Sequence, residues 1–309
     1  MNKLNKVIKN PWLLYLVAAE KGMTDYLNDE QHLKYMYRAC MGEPLNLDKP
    51  VGFNEKMQWL KLHDRNPLYT TLVDKYKAKT WVADRIGAEH VSKTYAVWDN
   101  ASSIDITNLP DKFVLKTNHD CGGIAICSDR STFDLDAAKS KLSKHLDINY
   151  FWRTREWPYK DVKPCIFAEE YLDPGKNQDL FDYKLFRFSN GRIITLLMTD
   201  RFTESGPSKT FFDEDWNPLS ISEGNHSRKN NIEQPPHFKE MIRFANELAC
   251  DFPFMRVDFY DVNGKLYFGE LTLYPNSGFE HFNPAEWDDR FGSWINLDLA
   301  YERKCSGVA

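Results

Sequence analysis

Two strand-like runs near the C-terminus put ionisable groups where apolar side chains belong. Arg256-Val257-Asp258-Phe259-Tyr260 is followed by a turn at Asn263-Gly264 and then by Tyr267-Phe268-Gly269-Glu270-Leu271-Thr272-Leu273. Side chains on a strand alternate between two faces. Arg256 and Asp258 therefore share one face, and Met255, Val257 and Phe259 share the other. Glu270 and Thr272 lie together on one face of the second strand. Asp258 and Glu270 meet on one face of the hairpin only if the loop holds an odd number of residues. A three-residue loop with Gly264 in the left-handed region supplies that, whereas a two-residue Asn-Gly turn would put them on opposite faces. Carboxylates facing each other across a ladder lie about 5–8 Å apart and repel unless a cation sits between them. An oxygen-only pair of this kind suits Mg²⁺. The competing reading is an edge hairpin on which Arg256 and Asp258 form a salt bridge.

A chain of 309 residues has room for two or three lobes. With 42% apolar and 14% aromatic residues it is globular rather than disordered. The net charge of −5 and the lack of a Lys/Arg run exclude a nucleic-acid partner. Six cysteines (Cys40, Cys121, Cys127, Cys165, Cys250 and Cys305) form no C-x-x-C and no zinc spacing with His, so they read as reduced thiols of a cytoplasmic protein, with Cys121 exposed. Lys3, Lys6 and Lys9 precede the apolar run Trp12 to Ala19, which is too short to span a bilayer. It reads as an amphipathic helix packed on the domain; the second reading is a helix lying on the inner membrane face.

Residues 1–90 read as a helix-rich lobe, with helices over Gln31 to Cys40, Asn54 to His63 and a longer one over Leu68 to Ile86, stopped by Gly87. Residues 91–180 read as a small central lobe. It has strands over Val91 to Val97, Phe113 to Lys116, Ile124 to Cys127 and Cys165 to Glu169, and a helix from Asp134 to Asn149. Residues 181–309 read as a mixed-sheet lobe that opens with a hairpin about Asn190-Gly191 and continues through a polar loop, Thr203 to Lys209, and a helix from His237 to Cys250. The fold class is α+β. Neither G-x-G-x-x-G nor G-x-x-x-x-G-K-[ST] is present, which excludes the usual dinucleotide and P-loop cradles. Phe113 to Lys116 is instead a buried strand that ends in a cation and runs into Gly122-Gly123, whose backbone can approach phosphate oxygens closely.

The C-terminal hairpin resembles the metal-binding hairpin of the ATP-grasp ligases, in which an Arg-x-Asp strand precedes a Glu-x-Asn strand end and a Ser/Pro-Gly turn. Arg256, Asp258, Glu270 and Ser277-Gly278 match, and Thr272 stands where the wider superfamily usually has Asn. From about residue 33 to 297 the chain resembles the TupA-like ATP-grasp family of surface-polysaccharide clusters. The resemblance rests on Phe53-Asn54-Glu55-Lys56-Met57-Gln58-Trp59-Leu60-Lys61, on Asp64-Arg65-Asn66-Pro67-Leu68-Tyr69, on Leu109 to Lys116, on Arg155-Glu156-Trp157-Pro158-Tyr159-Lys160, on Asp200-Arg201-Phe202 and on Gly269-Glu270-Leu271-Thr272.

This resemblance implies an ATP-grasp fold, with nucleotide held between the antiparallel or mixed sheets of the central and C-terminal lobes. It implies that Lys116 and Lys75 bind phosphates near Gly122 and Gly123, and that the hinge Glu169-Glu170-Tyr171-Leu172 holds the adenine edge, mainly through its backbone. Asp182 would bind the ribose, with Asp179 as its rival. Lys184 could reach the phosphates, and Lys209 could close over them from the polar loop. Asp258, Glu270 and Thr272 would hold Mg²⁺, and Arg256 would stabilise an acyl phosphate. The implied reaction is ATP-dependent amidation of a uronic acid, in a surface glycan or its precursor, by an amino acid. Two other functions fit the residues less fully. One is a glycosyltransferase using Asp134-Leu135-Asp136 or Asp213-Glu214-Asp215; the other is an ATP- or glycan-binding assembly protein without turnover.

Overall fold

The computed structural model describes residues 11–175, 179–200, 203, 206–224, 226–249 and 251–300. Five helices come first: α1 (Leu13–Glu20), α2 (Asp29–Met41), α3 (Phe53–His63), α4 (Leu68–Val73) and α5 (Lys77–Ile86). Strand β1 (Thr94–Trp98) joins β2 (Phe113–Thr117), β3 (Ile124–Cys127) and, after α6 (Leu135–Leu146) and the single turn α7 (Phe151–Thr154), β4 (Ile166–Glu170). These make an antiparallel sheet in the order β1-β4-β2-β3. A second antiparallel sheet runs β10-β9-β5-β6-β7, from β5 (Asp182–Phe188), β6 (Ile193–Thr199), β7 (Ser208–Phe212), β9 (Phe254–Val262) and β10 (Lys265–Thr272). The short β8 (Ser222–Glu223) and β11 (Phe282–Asn283) pair with each other, α8 (Phe238–Ala249) lies between β8 and β9 in the chain, and α9 (Glu286–Ser293) is last.

Local signals set several of these boundaries. Asn28 accepts the Gln31 N–H at 2.9 Å and caps α2, and Asp134 does the same for α6 through Ala137 at 2.8 Å. On α8 the buried residues Phe238, Met241, Phe244, Ala245 and Leu248 recur at helical spacing and cover the large sheet. Helix α3 packs against the same core, where the Phe53 ring lies 5.1 Å from Phe254. The smaller sheet buries a separate cluster in which Leu142 of α6 meets Phe113, Leu115 and Ile166.

Helix α1 rests on α2 through Trp12, stacked 5.8 Å from Tyr35, while Leu14 and Val17 stay exposed. No helix among the described residues is long and apolar enough to cross a membrane. Lys3, Lys6, Lys9, Arg201, Phe202, Cys250 and Cys305 lie outside the described residues.

Two expectations fail in instructive ways. The single helix over Leu68 to Ile86 is broken at Asp74-Lys75-Tyr76. Asp74 leaves helical geometry at ψ 102°, and its Oδ1 accepts the Tyr76 and Lys77 N–H groups at 3.1 Å each, starting α5 afresh. The break frees the Lys75 N–H, which donates to the Asn118 carbonyl of the glycine loop at 2.9 Å.

The hairpin turn is a two-residue one. Val262 pairs directly with Lys265, and Asn263 (φ 52°) and Gly264 (φ 74°) both occupy the left-handed region. Taken alone this would separate Asp258 from Glu270. A β-bulge at Gly269 restores the parity: Phe268 pairs with Phe259, but Glu270 then pairs with Asp258 and Thr272 with Arg256. A Cβ at Gly269 would come to 3.1 Å from both the Asp258 carbonyl oxygen and the Tyr260 ring. Gly269→Val is expected to cost about 1–3 kcal/mol in urea unfolding, and an unchanged midpoint would show that the bulge does not need glycine.

Candidate functional site

A cavity of about 1080 Å³ is lined by side chains of both sheets, and every residue to which the ATP-grasp resemblance assigns a nucleotide, metal or catalytic role borders it. On the large sheet, strand β9 is internal, so the hairpin that carries Arg256 and Asp258 is not wholly an edge. The Arg256–Asp258 salt bridge foreseen as the simpler reading does form, within a larger group. Arg256 Nε donates to Asp258 Oδ1 at 2.7 Å, and Nη2 donates to Asp258 Oδ2 and to Glu270 Oε1 at 2.8 Å each. From β5, opposite Asp258 in register, Lys184 Nζ reaches Asp258 Oδ2 at 2.5 Å and Asp182 Oδ2 at 2.8 Å. One guanidinium and one ammonium thus serve three carboxylates on adjacent strands. Burial pushes the Glu270 carboxyl up, but Arg256 and then Lys184 outweigh it and hold it at about 2. Burial pulls Lys184 down, but Asp258, Asp182 and Glu270 together outweigh it, and its ammonium is held above the ordinary value.

Asp258, Glu270 and Thr272 present only oxygen donors to the cavity. Among the described residues no group of three or more His, Cys, Asp or Glu side chains is arranged to enclose a metal ion. A pair of carboxylates does fit Mg²⁺, which keeps several waters and takes one or two protein carboxylates together with substrate phosphates.

The opposite wall carries a second charge group. Glu169 Oε1 pairs with Lys116 Nζ at 2.5 Å, and Oε2 accepts from Lys79 Nζ at 2.7 Å and from Ser92 Oγ at 3.0 Å. Burial raises the Glu169 carboxyl, and the Lys116 and Lys79 ammoniums bring it down to about 2. Glu169 is laddered on both sides, to Thr94 and Val114, and the Glu170 N–H donates to the Lys93 carbonyl at 2.9 Å. These backbone groups are committed to the sheet; Tyr171 and Leu172, which follow β4, line the cavity with them.

The glycine loop closes tightly beside Lys116. Asp120 accepts from Thr117 Oγ1 and contacts His145 Nδ1, the Lys75 ammonium donates to the Asp120 carbonyl, and Gly122 stands at φ 98°. Any Cβ at Gly123 would collide with Thr117 Oγ1. Cys121 is exposed, as expected, whereas His119 is buried and bonded to the Ile148 carbonyl at 2.9 Å.

Lys209 is not in a loop. It lies on β7 opposite Met198, with its ammonium 2.8 Å from Glu223 Oε2. The Asp-x-Asp strings lie outside the cavity. Asp134 is a helix cap, and Asp213 closes a turn by accepting the Asp215 and Asn217 N–H groups at 3.0 and 2.8 Å. Asp179 accepts the Asp200 N–H and Asp182, at the start of β5, pairs with Lys184; both line the cavity.

Sequence reasoning missed Lys79, Glu156, Glu223 and Glu280, all of which line the cavity. Lys79 had a signal: it falls three and seven residues before Val82 and Ile86, on the buried stripe of α5. Glu156 stood within a matched string to which no role was assigned.

The TupA-like ATPgrasp family model matches residues 55–296. No curated protein matches the sequence. Among solved structures, the chain is similar to the D-alanine-D-alanine ligase of Helicobacter pylori (13% identity, 81% of this chain and 68% of that one, TM-score 0.42). It is similar also to the D-alanine–D-alanine ligase of Bacillus anthracis complexed with ATP (14%, 84% and 71%, 0.40). A third is the RiPP-associated ATP-grasp ligase of Chryseobacterium gregarium in complex with ADP and a leader and core peptide (14%, 91% and 73%, 0.40).

Glu169 and Glu270 sit near 2 when folded, against 4.5 for a free carboxyl. The stability they contribute is therefore complete above about pH 4.5 and is lost as pH falls towards about 2. Glu169→Gln strands two lysines and is expected to cost about 3 kcal/mol at neutral pH. In urea titrations its deficit against the native chain should stay constant above about pH 5 and close below that. A deficit that is the same at every pH would refute the ion-pair account of Glu169.

Proposed function

We propose a function from one premise: the chain belongs to the TupA-like ATP-grasp family. It is an ATP-dependent ligase that joins a carboxylate to an amine. The finer reading is that ATP phosphorylates the carboxylate, that an amine attacks the acyl phosphate, and that an amide, ADP and phosphate leave. The observation that carries it is the pairing of two walls across one cavity, with Lys116 on Glu169 facing Arg256, Asp258 and Glu270.

The main barrier is bringing two anions together. Unit charges about 4 Å apart interact by about 4 kcal/mol at an effective dielectric near 20. Lys116, Lys75 and Lys184 supply compensating charge from three elements around the cavity. Asp258 and Glu270, with Thr272 as a weaker oxygen donor, would hold Mg²⁺, which when bound offsets phosphate charge. Arg256 is fixed by bonds to two carboxylates, so its remaining donors are oriented before charge develops on the acyl group, as transition-state stabilisation requires. Glu169 fixes Lys116 at the end of β2 in the same way. Tyr171 and Leu172 flank the adenine, and Asp182 takes the ribose.

The acyl donor in this reading is a uronic acid of a surface glycan or its precursor, and the amine is an amino acid. The family resemblance supports that choice, and the cavity volume leaves room for a second substrate beside a nucleotide. The protein would work in the cytoplasm. The exposed Leu14 and Val17 of α1, following Lys3, Lys6 and Lys9, would rest on the inner membrane face where a lipid-linked acceptor is presented.

Incubation with ATP, Mg²⁺, uronates and an amino-acid mixture should release ADP only when both acid and amine are present. Release of UDP from a sugar nucleotide would instead establish a glycosyltransferase. Asp258→Asn and Glu270→Gln are each expected to lower turnover at least about a hundredfold while circular dichroism is unchanged. Lys116→Ala should weaken ATP binding by about tenfold or more in calorimetry. Full activity in either carboxylate variant would rule out the metal site, and an unaltered ATP affinity would remove Lys116 from the phosphates.

A further inference from the structure

The turn after β10 is unusual in its backbone and in what supports it. Asn276, Ser277 and Gly278 follow one another in the left-handed region, at φ 46°, 55° and 66°. Two of them carry side chains, and such a conformation persists only where surrounding contacts enforce it. Helix α3 supplies those contacts. Gln58 Nε2 donates to the Ser277 and Gly278 carbonyls at 3.1 and 2.7 Å, and Lys61 Nζ donates to the Ser277 carbonyl at 2.8 Å. Both side chains are buried.

Glu156 meets this turn from the other side. Its Oε1 accepts from Ser277 Oγ at 2.5 Å and from Thr154 Oγ1 at 3.2 Å. It is only 4% exposed, yet it lines the cavity. Of the other buried carboxylates of the cavity, Glu169, Asp182, Glu223 and Asp258 each touch a lysine or an arginine, and Asp120 lies against His145. Glu156 does not: among the described residues no cation lies within ion-pair distance of it. Lys61, the nearest candidate, spends its donors on Gln58 Oε1 at 2.9 Å, the Thr154 carbonyl at 3.0 Å and the Ser277 carbonyl. Glu156 Oε2 accepts no hydrogen bond among the described residues, and it is not one of the polar atoms sealed from solvent. A carboxylate so deeply buried normally has a cationic partner. Lys61 is its charge partner within the protein, beyond ion-pair distance, and Oε2 remains open to a partner from the cavity.

We propose that Glu156 receives the ammonium of the amine substrate on Oε2, and that the Ser277 turn with its α3 supports is the amine side of the cavity. This deepens the ligase reading and rests on it. A metal ion is the poorer occupant, because Ser277 Oγ and Thr154 Oγ1 both donate to the carboxylate and so offer it hydrogens. Tyr150 and Tyr159 also line this part of the cavity, and aromatic rings suit an organic ammonium. Burial pushes the Glu156 carboxyl above its usual range, which a bound ammonium would reverse.

The test compares two nucleophiles on the full chain with ATP, Mg²⁺ and a panel of uronates. Hydroxylamine is uncharged at neutral pH and traps an acyl phosphate as a hydroxamate; an amino acid arrives as an ammonium. Glu156→Gln keeps the side-chain shape and the two hydroxyl bonds. It should raise KM for the amino acid at least about tenfold, with hydroxamate formation held within about twofold. Glu156→Asp, which keeps the charge, should recover part of the amino-acid affinity. If Glu156→Gln leaves amino-acid KM unchanged, or lowers both reactions equally, Glu156 only braces the turn and the proposal falls. If the native chain forms no hydroxamate with any uronate, the uronate-ligase reading itself fails and takes this inference with it.

Discussion

The buried guanidinium of Arg256 is the contact on which the rest of the site depends. It binds Asp258 through two bonds and Glu270 through a third, across the ladder between β9 and β10. Without it, the Asp258 and Glu270 carboxylates, held opposite each other on adjacent strands, would repel. Lys184 completes the compensation from β5 and ties Asp258 to Asp182. The charges are therefore fixed by mutual contact before any ligand arrives, which is the condition under which buried donors stabilise developing charge without reorganising.

The facing wall follows the same logic with the signs exchanged. Two lysines, from α5 and β2, converge on Glu169, and this acid keeps both ammonium groups at the cavity rim. The walls belong to different sheets with different cores, so the cavity is a meeting of two independently packed surfaces. A phosphate chain entering there would exchange existing ion pairs for new ones. That exchange lowers the cost of desolvating it, because the cations are already dehydrated.

Much of this was legible in the sequence, for identifiable reasons. Alternation in β9, the apolar run of β6, caps at Asn28 and Asp134, and the Asn190-Gly191 turn are local signals, and the elements they mark lie where expected. The signals that misled were local too, but tertiary contacts overrode them. The stretch from Leu68 to Ile86 has helical content throughout, yet Asp74 starts a new helix, and the Lys75 N–H that this frees is taken up by the glycine loop. Lys209 reads as the end of a polar loop and is pulled into β7 by pairing with β6 and by Glu223. Glu156 gave no sign of its burial, since its environment is assembled from α3, the Ser277 turn and its own segment, far apart in the chain.

The side-facing of Glu270 is set by the turn and the bulge counted together. With a two-residue turn, the unpaired Gly269 is what brings Glu270 opposite Asp258; paired straight through, the ladder would set Gly269 opposite Asp258 instead. Loop length at this tip is thus not a free surface variable. The pairing behaves like a reading frame: a one-residue slip would turn Glu270 towards the core and Leu271 towards the cavity, to the cost of fold and chemistry alike.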